Sequence, residues 1–178
     1  HIWIGTFRGL NKNNVHDYHQ YFCTDDSLGL PDNQITHLLR DSKNRFWVGT
    51  VNGVCLYTDK DNFRIIPIEA DNKNVRQILE DRNGRIFLNT GFQLYAYHPR
   101  EEKITCVLPE ISPGNAFYAQ CHIAPDNNLW VMTSTGLRCY DPSTLQLKES
   151  VALSGYPYYS YLHNNELWIT GNHTLSIF

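Results

Sequence analysis

Short apolar stretches recur along this chain, separated by turn residues. "FWVGTVNGVCLYT", residues 46–58, contains two such stretches joined by a tight turn. Related phrases occur at residues 2–10, "IWIGTFRGL", and at residues 129–140, "LWVMTSTGLRCY". Short runs rich in aromatic and β-branched residues and bounded by Gly and Asn predict β-strands. The pattern therefore predicts an all-β protein built on a repeated hairpin.

One aromatic residue anchors each repeat. The anchors are Trp3, Trp47, Phe87, Trp130 and Trp168, spaced 38 to 44 residues apart. A period near 40 is typical of four-stranded propeller blades. Asn or Gly stands three residues before the last four anchors, and both readily adopt the positive φ of a tight hairpin. Thr stands three residues after the first four anchors. Asp41 and Asp81 are predicted to open hairpin turns through side-chain-to-backbone hydrogen bonds.

Each repeat predicts one blade of four strands. In the clearest copy the strands are expected at about 35–40, 45–50, 54–58 and 63–66. The blade pieces are about 1–23, 35–68, 75–108, 117–152 and 158–178. The first piece supplies strands two to four and the last piece strands one to three, so the two ends cannot merge into one blade. We therefore expect a partial β-propeller, an arc of about four four-stranded blades from a larger, seven- or eight-bladed ring, with seven favoured.

Charge and cysteine content narrow the function classes. The net charge is −3 with no basic stripe, which argues against nucleic-acid or membrane contact by this segment. No apolar run approaches the ~18 residues of a membrane span. The five cysteines show no metal-ligand spacing, and those in apolar strands are predicted to be buried, with a disulfide as the alternative if the domain is exported. No metal and no other cofactor is expected. The chain begins inside a strand pattern without Met, as expected of an excised piece.

Residues 27–57, "SLGLPDNQITHLLRDSKNRFWVGTVNGVCLY", carry a recognisable motif. They resemble the two-component regulator propeller repeat, with its Gly-Leu-Pro, Trp-x-Gly-Thr and Gly-Leu elements. The resemblance extends over nearly the whole chain and is strongest in residues 1–57. It implies the periplasmic sensor region of a Bacteroides-type hybrid two-component histidine kinase, part of a membrane-anchored parent that regulates polysaccharide use. The kinase would lie elsewhere in the parent, so this segment itself is not expected to be an enzyme.

Propellers bind ligands where the loops between blades converge. Here these loops are residues 24–34, 69–74, 109–116 and 153–157, and the turns after each second strand should lie at the same end. Carboxylates and amides form hydrogen bonds to sugar hydroxyls, and aromatic rings pack against sugar C–H groups. The expected oligosaccharide ligand would contact residues from the following set: Asp32, Asn33, Asp71, Asn72, Asn115, Phe117, Tyr118, Tyr156 and Tyr158.

Three polar residues share one register of successive first strands. His37, Gln77 and Gln120 would either form a polar ring in the channel or satisfy the backbone of neighbouring blades, and we favour the second role. A metal site is not expected, because no histidine pair has HxH or HxxxH spacing.

Three functions compete at this level. We favour a non-catalytic ligand sensor. The alternatives are a propeller enzyme acting on glycans, a lyase or glycosidase, and a structural propeller for docking or dimerisation. The sialidase Asp-box spacing is not met, since Asp41 stands six residues before Trp47 and residue 43 is Lys. Expected partners are an oligosaccharide, the remaining blades of the parent and a second copy in a homodimer.

Overall fold

The structure is a computed structural model made almost entirely of strands and turns. It describes residues 1–14, 16–23, 29–58, 61–111, 119–153, 155 and 157–178. Within these ranges the backbone forms 18 strands in five antiparallel sheets, each of which we call a blade. No helix in the described ranges has the length and apolar character needed to cross a membrane.

The blades follow one another along the chain. Blade 1 holds β1 (Ile2–Thr6), β2 (Gly9–Asn13) and β3 (Tyr18–Tyr21). Blade 2 holds β4 (Ile35–Arg40), β5 (Phe46–Thr50), β6 (Gly53–Tyr57) and β7 (Phe63–Ile66). Blade 3 holds β8 (Gln77–Glu80), β9 (Ile86–Asn89), β10 (Leu94–His98) and β11 (Lys103–Leu108). Blade 4 holds β12 (Gln120–Ile123), β13 (Leu129–Thr133), β14 (Gly136–Tyr140) and β15 (Leu147–Ala152). Blade 5 holds β16 (Pro157–His163), β17 (Glu166–Gly171) and β18 (Thr174–Ile177).

Every blade is a meander in which consecutive strands pair antiparallel. The predicted all-β partial propeller is confirmed, with three complete four-stranded blades between two three-stranded ones. The turns between first and second strands place Asn44, Gly84, Asn127 and Asn165 at φ of 62°, 74°, 67° and 69°. The predicted positive-φ residues are therefore confirmed, and they turn the chain without splaying the strands.

Two aspartates organise the hairpins of blades 2 and 3. Asp41 Oδ1 accepts hydrogen bonds from the backbone N–H of Lys43 (3.0 Å) and Arg45 (2.8 Å). Asp81 repeats this arrangement with Oδ1 contacts of 2.9 Å to two backbone N–H groups of its own turn. In blade 2 the other oxygen, Asp41 Oδ2, also accepts from Arg45 Nε at 2.6 Å and from Trp47 Nε1 at 2.8 Å. The carboxylate thus ties the turn to the anchoring indole.

The recurrent threonine closes the turn between second and third strands. Each hydroxyl donates to the carbonyl oxygen three residues further on, at distances of 2.8 to 3.2 Å. The four donors are Thr6, Thr50, Thr90 and Thr133. The same hydroxyls accept hydrogen bonds from backbone N–H groups of the turn. The repeated Thr is therefore a turn-stabilising residue.

The apolar core is divided into four clusters, and each cluster lies between two neighbouring blades. Trp47 is fully buried in the cluster between blades 2 and 3, where its ring meets Tyr97 edge-on with centroids 4.9 Å apart. Phe87 belongs to the cluster between blades 3 and 4. The anchors therefore mark successive blades, and each blade is stabilised by burying the face of the next one.

The glycine of the Trp-x-Gly-Thr motif allows a close approach between blades. A Cβ added at Gly49 would lie 3.1 Å from Val75 Cγ1 and 3.3 Å from Ile78 Cδ1 of blade 3. At the equivalent Gly5 the nearest atom is Ile35 Cγ2 of blade 2, at 2.6 Å. A side chain at these positions would push the next blade away.

Gly49→Val is accordingly expected to destabilise the protein by about 1–3 kcal/mol, because it overpacks the contact with Val75 and Ile78. Gly49→Ala should cost less, since only the Cβ must be accommodated. Denaturant unfolding of both variants checks the order. A Val variant as stable as the Ala variant would contradict the tight inter-blade contact.

The cysteine prediction needs one correction. Cys55, Cys121 and Cys139 are buried, as the strand patterns predicted. Cys106 is exposed instead, because it lies on β11, the outer strand of its blade, where side chains reach solvent. All five cysteines are free thiols.

The two ends of the arc expose apolar sheet faces. In blade 1 the outward face presents Ile2 and Ile4, which are 67% and 49% exposed. In blade 5 it presents Tyr161, Leu175 and Ile177, each at least half exposed. On the opposite faces of the same sheets, the side chains are buried against blades 2 and 4. The expected bare blade faces are thus present at both ends.

Candidate ligand-binding site

The first strands of the complete blades line the concave side of the arc. Strand β4 contacts β8, β8 contacts β12, and β12 contacts β16. Blade 1 places β1 against β4 at one end of this series. These neighbouring strands form the wall of what is the central channel in a closed propeller.

Polar side chains connect these inner strands from blade to blade. His37 Nδ1 accepts a hydrogen bond from Ile78 N at 3.3 Å. Gln77 Oε1 accepts one from Cys121 N at 2.9 Å. Gln120 Oε1 accepts one from Ser160 N at 2.7 Å. The favoured prediction, that these three residues satisfy the backbone of the neighbouring blade, is confirmed.

Two imidazoles are held neutral within this wall. Burial lowers the pKa of His37 and that of His122, whose Nε2 lies 2.7 Å from Ser160 Oγ. In the unfolded chain both imidazoles return to the ordinary pKa of about 6.5. The unfolded state therefore binds more protons, and stability is lost as the pH falls below this ordinary value.

His37→Gln is expected to reduce this acid sensitivity. Glutamine keeps an acceptor for Ile78 N and is the residue that blades 3 and 4 use at this position. The melting temperature should change little at pH 7.5, and its decrease on going to pH 5 should be smaller by a few degrees. Thermal unfolding at both pH values measures this. The exposed His19 supplies the control, and a variant as acid-sensitive as the wild type would contradict the role of His37.

A channel concavity of about 590 Å³ opens at one end of this wall. Four of its lining residues come from the turn and loop segments of different blades: Phe7, Gln34, Val51 and Asn74. The inner strands and the segments before them contribute the remaining described lining residues: Ile35, Thr36, His37, Arg76, Gln77, Ala119, Gln120 and Tyr159. Gln34, Asn74 and the second-strand turn at Val51 therefore lie at the same end, as predicted for these segments.

Backbone hydrogen bonds hold this end together. Val51 N donates to Gln34 O at 3.2 Å, and Val75 N donates to Thr50 O at 3.0 Å. The Thr36 hydroxyl donates to Val75 O, which fixes the segment before β8 to the bulge at the start of β4. The lining residues are therefore placed by rigid elements on both sides of the blade 2–blade 3 interface.

The chemistry of the channel concavity is polar with aromatic edges. Phe7 and Tyr159 are 79% and 57% exposed, so both rings are accessible to a ligand. Amide groups come from Gln34 and Asn74. Asn74 Oδ1 is buried, and no described group donates a hydrogen bond to it. This set of groups suits a hydroxyl-rich ligand, which offers donors and acceptors together with C–H surface.

Three of the predicted site residues hold turns. Asp32 Oδ1 accepts from Gln34 N at 2.8 Å, and Asn72 Oδ1 accepts from Asn74 N at 3.0 Å. Asn33 Oδ1 accepts from Cys23 N at 2.8 Å, while its carbonyl accepts from Gly9 N at 2.7 Å. These contacts position the neighbours that line the concavity. A direct ligand contact by these three residues stays a prediction.

The other predicted residues divide into two groups. Asp71 is exposed, and the Tyr158 hydroxyl donates to Asn172 Oδ1 at 3.2 Å. Neither is among the described residues that line the concavity. Four predicted residues lie outside the described part of the chain: Asn115, Phe117, Tyr118 and Tyr156.

Sequence reasoning missed several lining residues, including Thr36 and Arg76. Thr36 sits at a bulge between Ile35 and His37, and strand alternation does not reveal a bulge. Arg76 immediately precedes β8, as Gln34 immediately precedes β4. The position immediately before the first strand of a blade is therefore the sequence feature that could have identified these lining residues. In the described residues, no group of three or more His, Cys, Asp or Glu side chains could hold a metal ion.

The fold defines this chain as an arc of a β-propeller. Residues 29–52, which contribute Gln34 to His37 and Val51 to the concavity, match the family model described as two component regulator propeller. The match lies within the stretch whose sequence motif indicated this repeat. No curated protein matches the chain significantly.

Solved structures support the fold assignment. The extracellular domain of the hybrid two component system BT4673 from B. thetaiotaomicron superposes with a TM-score of 0.78 at 21% identity, covering 98% of this chain and 25% of that one. The extracellular domain of the hybrid two component system BT3049 from the same organism superposes with a TM-score of 0.75 at 23% identity, and the match covers 99% of this chain and 26% of that one. Virginiamycin B lyase from Staphylococcus aureus superposes with a TM-score of 0.72 at 16% identity, and the match covers 99% of this chain and 65% of the lyase. The chain spans about a quarter of the first two proteins, and identities this low establish the fold alone.

Proposed function

We propose that this chain is a ligand-binding arc in the periplasmic sensor propeller of a hybrid two-component regulator. The observation that carries the proposal is the match of residues 29–52 to the regulator propeller family. The matched repeat supplies part of the channel concavity, which ties the family motif to a cavity of ligand size. The likeness to extracellular domains of two hybrid two component systems supports the same placement.

The ligand we propose is a carbohydrate. The concavity combines amide side chains with the exposed rings of Phe7 and Tyr159. Such rings pack against the C–H face of a sugar, and amides form hydrogen bonds with its hydroxyls. Signalling then requires that the bound sugar stabilise one arrangement of the parent protein's propellers over another.

Further blades of the same polypeptide are proposed to complete the ring. The outward faces of blades 1 and 5 expose Ile2, Ile4, Leu175 and Ile177, which have the apolar character of the buried inter-blade faces. Exposed apolar sheet faces of this kind are normally buried against another part of the protein or a partner. The solved sensor domains are about four times as long as this chain, which leaves room for such blades. A membrane anchor and a kinase elsewhere in the parent, and a homodimer, stay predictions of the resemblance.

A glycan-cleaving enzyme is less well supported. Glycoside hydrolysis uses a pair of carboxyl groups, and the described lining residues include neither Asp nor Glu. Burial raises the pKa of the Cys55 thiol and raises that of Cys121 to about 12, so neither is an effective nucleophile at neutral pH. The lyase among the structural neighbours shares the fold at 16% identity.

Calorimetry of the whole polypeptide that contains this chain, against a panel of oligosaccharides, tests the proposal. A sensor should bind at least one oligosaccharide and release it intact. Tyr159→Ala should weaken binding about tenfold by removing a stacking surface. Tyr18→Ala, which removes a similarly exposed ring on the outward face of blade 1, is the matched control. Turnover of the glycan would favour the enzyme, and binding of no glycan would favour a docking propeller.

A further inference from the structure

A cation lies over the anchor aromatic ring in each of blades 1, 2 and 3. In blade 2, the guanidinium carbon of Arg45 lies 5.2 Å from the ring centroid of Trp47 and 5.4 Å from that of Tyr97, which belongs to blade 3. The other two contacts are Lys12 over Trp3, at 5.4 Å, and Arg85 over Phe87, at 5.6 Å. Cations are attracted to the negative face of an aromatic ring. The space beside each anchor, which we call the anchor slot, therefore accommodates a positive charge.

Blade 4 lacks this cation. Ala124 N donates to Asn128 O at 2.9 Å, and in the same turn of blade 2 Asp41 N donates to Arg45 O at 3.0 Å. Ala124 therefore stands at the position of the blade 2 aspartate, and Asn128 stands at the position of the arginine. Both members of that ion pair are absent from the blade 4 turn. Among the described residues, no lysine or arginine lies over the ring of the blade 4 anchor, Trp130.

A cavity of about 310 Å³ occupies the anchor slot of blade 4. Blades 4 and 5 both line it, and their contributions include Ala124, Asp126, Trp130, Leu162, Leu167 and Phe178. Trp130 and Phe178 hold the same two repeat positions as the rings that contact Arg45 in blade 2. A volume of this size is sufficient for a small ligand. The cavity thus keeps the aromatic pair of the other slots without their cation.

A carboxylate also lines this cavity. The described hydrogen bonds to Asp126 come from Asn128, whose backbone N–H lies 2.9 Å from Oδ1 and whose Nδ2 lies 2.6 Å from Oδ2. Lys148 Nζ contacts Asn128 Oδ1 at 2.7 Å and Asp141 Oδ2 at 3.3 Å. No ion pair between described residues includes Asp126. A cation in the cavity would therefore meet two aromatic rings and a carboxylate.

We infer that the anchor slot of blade 4 binds a small organic cation, with its ammonium or guanidinium group over Trp130 and Phe178 and with Asp126 as the counter-ion. The ligand supplies the positive charge that side chains supply in the other three slots. The inference goes beyond the proposed function and does not depend on a carbohydrate ligand. The slot and the channel concavity share no described lining residue and lie at opposite ends of the strands.

Calorimetry of the whole polypeptide that contains this chain tests the inference with pairs of cations and neutral molecules of similar shape. The pairs are choline with 3,3-dimethylbutan-1-ol, butylammonium with 1-butanol, and butylguanidinium with butylurea. At least one cation should bind. Its neutral partner should bind about threefold to thirtyfold more weakly, because it forms no cation–π contact.

Two substitutions assign the preference to this site. Asp126→Asn removes the counter-ion from an exposed position, so it should weaken binding of the cation by about threefold and leave the neutral partner unaffected. Trp130→Leu keeps an apolar side chain but removes the ring, and it should abolish the preference for the cation. Glu149→Gln is the matched control, because Glu149 is an exposed carboxylate of blade 4 outside the described lining.

A double variant fills the slot. Ala124→Asp combined with Asn128→Arg rebuilds the pair that Asp41 and Arg45 form in blade 2, where Arg45 Nε donates to Asp41 Oδ2 at 2.6 Å. The new guanidinium should occupy the cavity beside Trp130. This variant should therefore not bind the cation, while its thermal unfolding should remain cooperative.

Three results would overturn the inference. The first is a cation that binds no more tightly than its neutral partner. The second is binding that persists in the double variant, because the ligand would then lie elsewhere. The third is the failure of every cation to bind the whole polypeptide, and this result would leave the proposed carbohydrate sensor unaffected. If Trp130→Leu does not fold, Asp126→Asn and the double variant decide the point.

Discussion

Replacing Asp41 by alanine is expected to lower the free energy of unfolding by about 3 kcal/mol, the loss typical of breaking a buried charged network. The Asp41 carboxylate is fully buried and accepts hydrogen bonds from the Arg45 side chain and the Trp47 indole, besides two backbone N–H groups. Alanine leaves these donors without their acceptor. Urea unfolding at neutral pH, in the polypeptide that contains this chain, measures the loss.

Asp81→Ala provides the matched comparison. Asp81 makes the same turn contacts and the same ion pair with an arginine four residues later. Its anchor is Phe87, which has no ring N–H to donate. The loss should therefore be about 1 kcal/mol smaller than for Asp41→Ala. Equal losses at both positions would show that the indole hydrogen bond does not stabilise blade 2.

The Asp41 effect should also depend on pH. Burial alone would raise the pKa of Asp41, but hydrogen bonds from Trp47 and Arg45 outweigh it and hold the pKa below its ordinary value. A carboxyl group with a lowered folded-state pKa stabilises the protein above the ordinary carboxyl range, and this contribution is lost as the pH falls through the folded pKa. The difference between wild type and Asp41→Ala should therefore shrink below pH ~4.

The 178-residue chain produced on its own is expected to self-associate. Leu175 and Ile177 of β18 are at least half exposed on the outward face of blade 5, as are other apolar side chains at both ends of the arc. Apolar faces of this kind, flanked by unpaired strand edges, associate with one another or with other copies. Size-exclusion chromatography with light scattering should show oligomers or aggregates at micromolar concentration.

Charged substitutions locate the associating surface. Leu175→Glu combined with Ile177→Lys should shift the chain towards monomer. Leu147→Glu replaces a similarly exposed leucine on β15, the outermost strand of blade 4, and should leave association unchanged. A chain that is monomeric at all concentrations without substitution would contradict the arc-end argument.

Local chemistry explains how much of the fold could be predicted. The turn residue Asn44 adopts positive φ because few other residues do so readily, and Thr50 closes its turn with bonds to atoms within three residues. The buried anchor Trp47 recurs at the blade period. Such features depend on neighbours along the chain, so the spacing of residues reveals them.

The candidate site was less predictable because it is assembled across blades. Asp32 and Asn72 have the composition of ligand-binding residues, but their side chains cap local turns. Arg76 and Tyr159, which line the concavity, belong to different blades and are brought together by the curvature of the arc. Polarity in a loop does not show whether a side chain turns towards the channel or back onto its own backbone.

The sequence by itself determined the strands, their order, the residues that form the turns and the division into three complete blades between two partial ones. It did so because the hydrogen bonds and the alternation of side chains within one blade connect residues that are close in the chain. Only the tertiary structure decided which residues line the concavity and that its described lining holds one cation and no carboxylate. The physical reason is that both properties depend on how neighbouring blades stack. Stacking is governed by contacts such as Gly49 against Val75, between residues far apart in the chain.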